Sequence, residues 1–263
     1  MSEESRIYYN YHGGGDSRVE DPPLVFIHGA GGSHLHWPSE LRRMPGVQVY
    51  SLDLPGHGNS KGDAIASIKG YAHKLLEWLD SVELGPAVLV GHSMGGAISL
   101  TLCLEAPHRI KGLVLVGGGA KLRVSPQLLA LSEDEGLYQQ ATQLVIQWAF
   151  STNADDRLVD LAQKRMSEVP ATVIHSDFLA CDKFDIMDRL AEISVPTLVL
   201  CGEEDQMTPV KYSQYLAENI PHARLVVIKD AGHMVMLEKP FEVTQAIGDF
   251  LQELNSKDRN KGG

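Results

Sequence analysis

Six short runs rich in leucine and β-branched residues punctuate the chain: LVFIHG (24–29), VQVYSLD (47–53), AVLVGHS (87–93), GLVLVGG (112–118), PTLVLCG (196–202) and RLVVIKDAG (224–232). Within them apolar residues are nearly continuous rather than alternating with polar ones. Strands of that kind must bury both faces, which a parallel sheet covered by helices on either side provides. The segments between them carry a different period. Val243, Ala246, Ile247, Phe250, Leu251 and Leu254 fall on one helical stripe behind Pro240, a residue suited to a first helical turn. Residues 94–104 are apolar nearly all round, so the helix there is predicted to be buried. Strands alternating with helices specify a doubly wound, mostly parallel sheet, with Tyr8, Tyr9 and Tyr11 on an N-terminal edge strand.

The alternation stops between Lys121 and Asp188. No strand-like run occurs there. Instead Leu137, Ala141, Leu144, Val145 and Trp148 share one helical face and Leu158, Leu161 and Ala162 another, with Pro126 and Pro170 as breaks. A helical insertion on the carboxyl side of a parallel sheet is placed to roof a site. The expected organisation is a core of residues 1–120 and 189–255, a helical cap at 121–188 and a disordered tail at 256–263, where the polar run NSKDRNKGG ends the chain. Apolar residues make up 43% of the 263 and 25 glycines add to them, enough for a sizeable core.

The charge pattern narrows the partners. With 34 acidic against 23 basic residues the formal charge is −11, whereas nucleic acid and anionic membrane surfaces attract basic patches. Neither is an expected partner. Cys103, Cys181 and Cys201 are odd in number, far apart and set in apolar runs, which reads as buried free thiols in a reducing compartment. The opening MSEESRIYYN lacks a basic-then-apolar leader pattern and no stretch approaches about 18 apolar residues, so a cytoplasmic location is expected.

Within this frame LVGHSMGG (89–96) places Ser93 between glycines where a strand hands over to a helix. The glycines admit two readings, an ordinary tight turn or an elbow that holds the serine clear as a nucleophile. A G-x-S-x-G elbow needs small residues two before and two after the serine, so that strand and helix pass closely at a sharp turn. Gly91 and Gly95 occupy those positions, after a strand-like run and before an apolar helix, which favours the nucleophile. A hydroxyl also needs a base and a binder for the developing oxyanion. The Met94 N–H at the helix start faces the second requirement, and the Ala30 N–H in the loop HGAGG (28–32) is the candidate second donor. For the base, His233 lies in DAGHMVMLEKP, directly after the last strand-like run. Asp205 lies in CGEEDQMTP, after the preceding one. Ser93, Asp205 and His233 thus each follow a strand, in the chain order Ser, Asp, His.

Together HGAGG, DLPGHGNS (53–60), GHSMGG, GEEDQMTP and AGHMVMLEKP resemble the α/β-hydrolase fold superfamily, in its compact, lidded bacterial form, over essentially the whole chain except the tail. The resemblance implies Ser93 as nucleophile, Asp205 as acid, His233 as base, an oxyanion hole from the Ala30 and Met94 N–H groups, and a helical cap at 121–188. It also implies a sheet of about eight strands, and a serine mechanism of this kind requires no cofactor. Ser93 speaks against haloalkane dehalogenases and epoxide hydrolases, whose relatives carry an aspartate at the elbow. The expected activity is hydrolysis of a carboxylic ester of small or medium acyl size, with a small-molecule ester or related acyl compound as substrate and the oligomeric state left open. C–C bond hydrolysis, lactone hydrolysis and a ligand receptor on the same fold are the alternatives.

Other polar clusters have plainer readings. His28, His34, His36, His57 and His92 lack the paired cysteines or H-E-x-x-H spacing of a metal site, so no metal is expected. His28 and His92 are expected to bond backbone near their turns, His57 to sit in a loop and Trp37 to pack. Asp177, Asp182, Asp185 and Asp188 are spaced as the solvated side of a cap helix. The strand before the insertion runs into GGGAKLRVS, with no carboxylate until Glu133, so the acid partner of His233 comes from Glu203, Glu204 or Asp205.

Overall fold

The structure, a computed structural model, describes residues 6–13 and 22–261, with backbone alone from 257 onward. Its strands are β1 (Tyr8–His12), β2 (Leu24–Ile27), β3 (Val49–Asp53), β4 (Ala87–His92), β5 (Ile110–Val116), β6 (Thr197–Gly202) and β7 (Arg224–Ile228). They form one seven-stranded sheet in the order β1-β3-β2-β4-β5-β6-β7. Edge strand β1 runs antiparallel to β3, and every other pairing is parallel. The tyrosine-rich segment is therefore the edge strand expected, and the sheet is the α/β-hydrolase type. Successive strands leave β2 in opposite directions, first to β3 and then to β4. In open α/β sheets that reversal opens a crevice at the carboxyl ends of the strands, where ligands bind.

The helices are α1 (Ser39–Arg42), α2 (Ile68–Ser81), α3 (Met94–Glu105), α4 (Pro126–Glu133), α5 (Tyr138–Ala149), α6 (Asp156–Ser167), α7 (Ala171–Asp182), α8 (Val210–Asn219), α9 (Val235–Glu238) and α10 (Pro240–Lys261). The alternate-residue rule of a strand divides the core. Val25, Ile27 and Leu89 point to the face covered by α2, α3 and α8, while Leu24, Phe26, Val88 and Val90 point to the face covered by α1 and α10. All six residues of the predicted α10 stripe are buried, and α3 is buried along nearly its whole length. Trp37 packs on Phe26 with ring centroids 4.7 Å apart and is fully buried, as expected for a packing residue.

Helices α4 to α7 fill the interval between β5 and β6. An antiparallel bridge and ion pair between Lys121 and Asp185 close the neck of this insertion. Leu128, Ala141, Val145, Ile174 and Phe178 join the core cluster on the α10 face of the sheet, so the insertion is packed down rather than held clear. Two stripe expectations need correction. Leu137 precedes α5 as its N-cap and Leu161 lies on α6, and both are exposed. α6 is an outer layer whose single buried residue is Met166, so Leu158 and Ala162 pack only partly against the core and Leu161 faces outward. The tail expectation also changes, because α10 runs to Lys261, past the polar boundary at 256. A helix nucleated by a long buried face extends at little further cost, without needing apolar residues. Residues 262–263 lie outside the described set. Cys103, Cys181 and Cys201 are free and buried. Among the described residues, no helix is long and apolar enough to cross a membrane.

Candidate active site

Ser93 stands at the junction of β4 and α3 with φ 51° and ψ −113°. A non-glycine residue held there stores roughly 1–3 kcal/mol of backbone strain, which the surrounding structure must overcome. Its amide is anchored to the Val116 carbonyl at 2.9 Å on the adjoining strand. The flanking glycines explain how the turn fits. A Cβ on Gly91 would lie 2.3 Å from the Gly95 carbonyl oxygen, and one on Gly95 would lie 2.2 Å from the Ile27 carbonyl oxygen of β2. Both contacts are with backbone, which cannot rotate aside. Only glycine lets helix and strands approach this closely.

Met94 opens α3, so its amide belongs to the first turn, where helical N–H groups lack intrahelical acceptors. Ala30 lies in the loop after β2, the strand beside β4. Neither amide has a partner in the chain among the described residues. The Ala30 loop is held from beneath by His28. Its Nδ1 donates to the Gly29 carbonyl at 2.8 Å and its Nε2 accepts from the Leu54 amide at 3.0 Å, which fixes a single neutral tautomer. Burial, then neighbouring His57, hold the His28 pKa well below the ordinary imidazole value.

His233 follows β7 and is buried. Its Nδ1 is 2.8 Å from Asp205 Oδ2, and because a carboxylate oxygen accepts, Nδ1 carries the proton and Nε2 is left free to act as a base. Asp205 is itself buried and accepts from the Met207 amide at 2.9 Å and from the Thr208 amide and hydroxyl at 2.8 Å each. Burial disfavours its ionised form, but His233 and the Thr208 donors outweigh that and hold the carboxyl below its usual value. Of the three candidate acids, Asp205 alone meets His233. Glu204 turns outward and accepts from the Thr152 amide and hydroxyl at 3.0 and 2.9 Å. His92 supports the base from behind, with its Nε2 donating to the His233 carbonyl at 3.1 Å. Burial, then the adjacent His233, keep His92 neutral.

Two cavities meet at Ser93. The larger, about 210 Å³, opens between the insertion and the β6–α8 loop and is lined by Leu122, Arg123, Leu128, Trp148, Phe178 and Tyr212 among others. The smaller, about 50 Å³, holds His233 and His92 with the apolar side chains of Val145, Ile146, Met166 and Met234. Ala30, Ser93, Phe178 and Met207 line both. The structure thus brings Ser93, His233 and Ala30 to one cavity wall and bonds Asp205 to His233 behind it, with the Met94 amide beside the serine.

The aspartate expectation fails in two respects: α7 ends at Asp182, so Asp185 and Asp188 lie beyond the cap helix, and Asp177 does not face solvent. Asp177 is wholly buried, not on a solvated face, and it accepts from His57, Tyr71 and the Gly31 amide. α7 lies against the loops above the sheet rather than outside them, so its inward side needs one polar anchor. His57, read as a loop residue, is correspondingly buried. Sequence spacing could not separate Asp177 from its exposed neighbours. Thr208 and Glu238 were also missed. Glu238 takes the Gly232 amide at 2.8 Å and the Ser151 amide at 3.1 Å, fixing the His233 loop to the insertion. For Thr208 a local signal existed, since Asp-x-x-Thr before proline favours a side-chain-capped turn.

Residues 24–246 match the alpha/beta hydrolase family. The chain is 30% identical to 2-hydroxymuconate semialdehyde hydrolase of Pseudomonas sp. strain CF600, over 89% of this chain and 88% of that protein. Among solved structures it is similar to a thermophilic esterase, at 33% identity and TM-score 0.80 over 95% of this chain and 99% of the other. It is also similar to Est816, described as an N-acyl homoserine lactone degrading enzyme, at 30% identity and TM-score 0.80, covering 94% and 97%. With the parallel sheet, the serine elbow and the histidine–aspartate pair already in place, these matches establish that the chain belongs to the alpha/beta hydrolase family.

Proposed function

We propose that the protein is a serine hydrolase that cleaves carboxylic esters of small or medium acyl size through an acyl-enzyme. The observation that carries this reading is His233, bonded to Asp205 behind it, sharing a cavity with a strained Ser93. His233 Nε2 takes the Ser93 proton as Oγ attacks the carbonyl carbon, forming the C–O bond. The carbonyl oxygen becomes an oxyanion, and the Ala30 and Met94 N–H groups stabilise it. Collapse breaks the bond to the alcohol, which leaves with the proton from His233. Water, deprotonated by the same histidine, then attacks the acyl-enzyme and releases the acid. Asp205 keeps the imidazole in the required tautomer throughout. The cycle needs no cofactor, and the buried free thiols suit a cytoplasmic setting.

Residues 121–188 act as the cap, narrowing access to Ser93. A cavity of about 210 Å³ lies below the usual range of about 300–1,000 Å³ for drug-sized ligands, which supports short acyl groups over lipids. Lactone hydrolysis is the second reading, favoured by the similarity to a lactone-degrading enzyme, and uses the same steps with the leaving oxygen still tethered. The test is a fluorophosphonate probe combined with pre-steady-state kinetics on p-nitrophenyl butyrate. Covalent labelling at Ser93 and a burst of one nitrophenolate per enzyme are expected. Saturable binding with neither labelling nor burst would overturn the reading in favour of a ligand receptor.

A further inference from the structure

Asp177 joins three core segments that are distant in sequence. Its Oδ2 accepts hydrogen bonds from the Gly31 amide and from His57 Nε2, each at 2.8 Å, and its Oδ1 accepts one from the Tyr71 hydroxyl at 2.7 Å. The second ring nitrogen of His57, Nδ1, lies 3.0 Å from the Pro55 carbonyl oxygen. A carboxylate and a carbonyl only accept, so both ring nitrogens carry hydrogen and His57 is an imidazolium. The site therefore contains a fully buried ion pair that bridges α7 of the insertion and the loop after β3.

Such a pair is a poor device for stability alone. Apolar side chains of similar volume commonly stabilise a protein as well or better. What apolar residues would not supply is an acceptor for the Gly31 amide. Gly31 N is part of the peptide plane that it shares with Ala30. Fixing that plane fixes the direction in which Ala30 presents its own N–H, on the opposite side of the same Cα. His28 holds the loop at its start, through Leu54 and Gly29, and Asp177 holds it just beyond Ala30. The anchor comes from the insertion, so the oxyanion loop and the roof over Ser93 are fastened by one carboxylate.

We propose that Asp177 is a positioning residue for the hydrolytic reaction: its buried carboxylate, paired with His57, aims the Ala30 N–H at the oxyanion and ties that aim to the seating of the cap. It does not touch substrate. His57 supplies the opposite charge beside this buried carboxylate and holds Oδ2 in place through its Nε2 hydrogen bond. Tyr71 saturates the other oxygen and keeps the carboxyl plane from turning away from Gly31.

The test compares Asp177→Leu, which is similar in shape but accepts nothing, with Asp177→Asn, which retains an oxygen acceptor. Asp177→Leu is expected to lower kcat on p-nitrophenyl butyrate by roughly 10²-fold, the low end of the effect of losing one oxyanion donor, with KM within about 3-fold of wild type. Affinity for an alkyl boronic acid, whose serine adduct mimics the tetrahedral intermediate, should fall in parallel with kcat/KM. Affinity for the product carboxylate should hold. Asp177→Asn should recover most of the lost kcat. Ile247→Ala, a buried change on α10 away from both cavities, supplies a variant of lowered Tm with unchanged kcat. If Asp177→Leu does not fold, the double variant His57→Leu with Asp177→Leu removes both charges together and is measured against the same expectations. The proposal is overturned if the folded variant loses Tm but keeps kcat and boronate affinity within about 3-fold. The inference rests on the hydrolase reading, and the two fail differently. If wild-type Ser93 is not labelled by fluorophosphonate, that reading falls. If wild type is labelled and turns over while the Asp177 variants match it, only the positioning role falls.

Discussion

Replacing Gly95 with alanine tests the physical reason for the elbow. In most helices Gly→Ala stabilises, by about 1 kcal/mol, because alanine loses less backbone entropy on folding. At Gly95 the new Cβ would lie 2.2 Å from the Ile27 carbonyl oxygen, more than 1 Å inside ordinary contact, and 2.7 Å from that of His28, also well inside it. Neither oxygen belongs to a rotatable side chain, so α3 must lift away from β2. Overpacking of this kind costs about 1–3 kcal/mol, and with backbone on both sides the upper end applies. Set against the helical gain, a net loss of about 2 kcal/mol remains, or about 4–8 °C in Tm for a domain of this size. The lift also carries Ser93 and the Met94 amide with it, and a misplacement of about 1 Å at a reacting group can lower the rate roughly 10²-fold. Gly96→Ala is the neighbouring control. Its Cβ would meet the Gly91 carbonyl oxygen at 3.4 Å, ordinary contact, so Tm should hold or rise. Gly248→Ala, with nothing within 4 Å, should gain the full helical increment, about 2–4 °C. The assays are calorimetric Tm and the rate of fluorophosphonate labelling. If Gly95→Ala proves as stable and as quickly labelled as Gly96→Ala, the close-approach argument is wrong.

Three further outcomes are expected. In steady-state kinetics on p-nitrophenyl butyrate, Ser93→Ala should lower kcat on the order of 10⁶-fold and Asp205→Asn roughly 10⁴-fold, while Glu203→Gln and Glu204→Gln stay near wild type; an inactive Glu204→Gln beside an active Asp205→Asn would reverse the assignment of the acid. Across p-nitrophenyl esters, kcat/KM should be highest for short acyl groups and fall sharply by palmitate, and strong activation at a triglyceride–water interface would contradict a narrowing cap. The last concerns pH and His57. Burial works against its charged form, but the Asp177 charge and hydrogen bond, the Pro55 carbonyl and Asp53 outweigh it and raise the pKa above the ordinary 6.5. Stabilisation from a raised imidazole is fully present below 6.5 and is lost as pH rises through the folded-state value. The Tm advantage of wild type over His57→Gln should therefore shrink toward alkaline pH, and an advantage that grows instead would refute the charged pair.

Much of the molecule is determined by the sequence alone because the relevant forces are local or periodic. Continuous apolar runs such as AVLV must bury both faces wherever they sit, and a stripe such as Val243, Ile247 and Phe250 needs only the helical repeat to define it. The elbow is equally legible, since the glycines it needs are fixed by spacing to Ser93. Asp205 and His233 were readable from their positions after successive strands, although choosing among Glu203, Glu204 and Asp205 drew on family resemblance. Other properties were decided only by tertiary structure. Which carboxylate reaches His233 depends on the course of the β6–α8 loop, which turns Glu204 out to Thr152 and Asp205 in. Leu161 has an apolar side chain but no layer outside it to bury it, whereas Asp177 has a charged one and is wholly enclosed. Helical periodicity says which residues share a face. It carries no information on what that face meets, and a carboxylate is buried or solvated according to whether the chain delivers donors to it from elsewhere. For Asp177 those donors come from residues 31, 57 and 71, more than a hundred positions away, and only the folded chain brings them together.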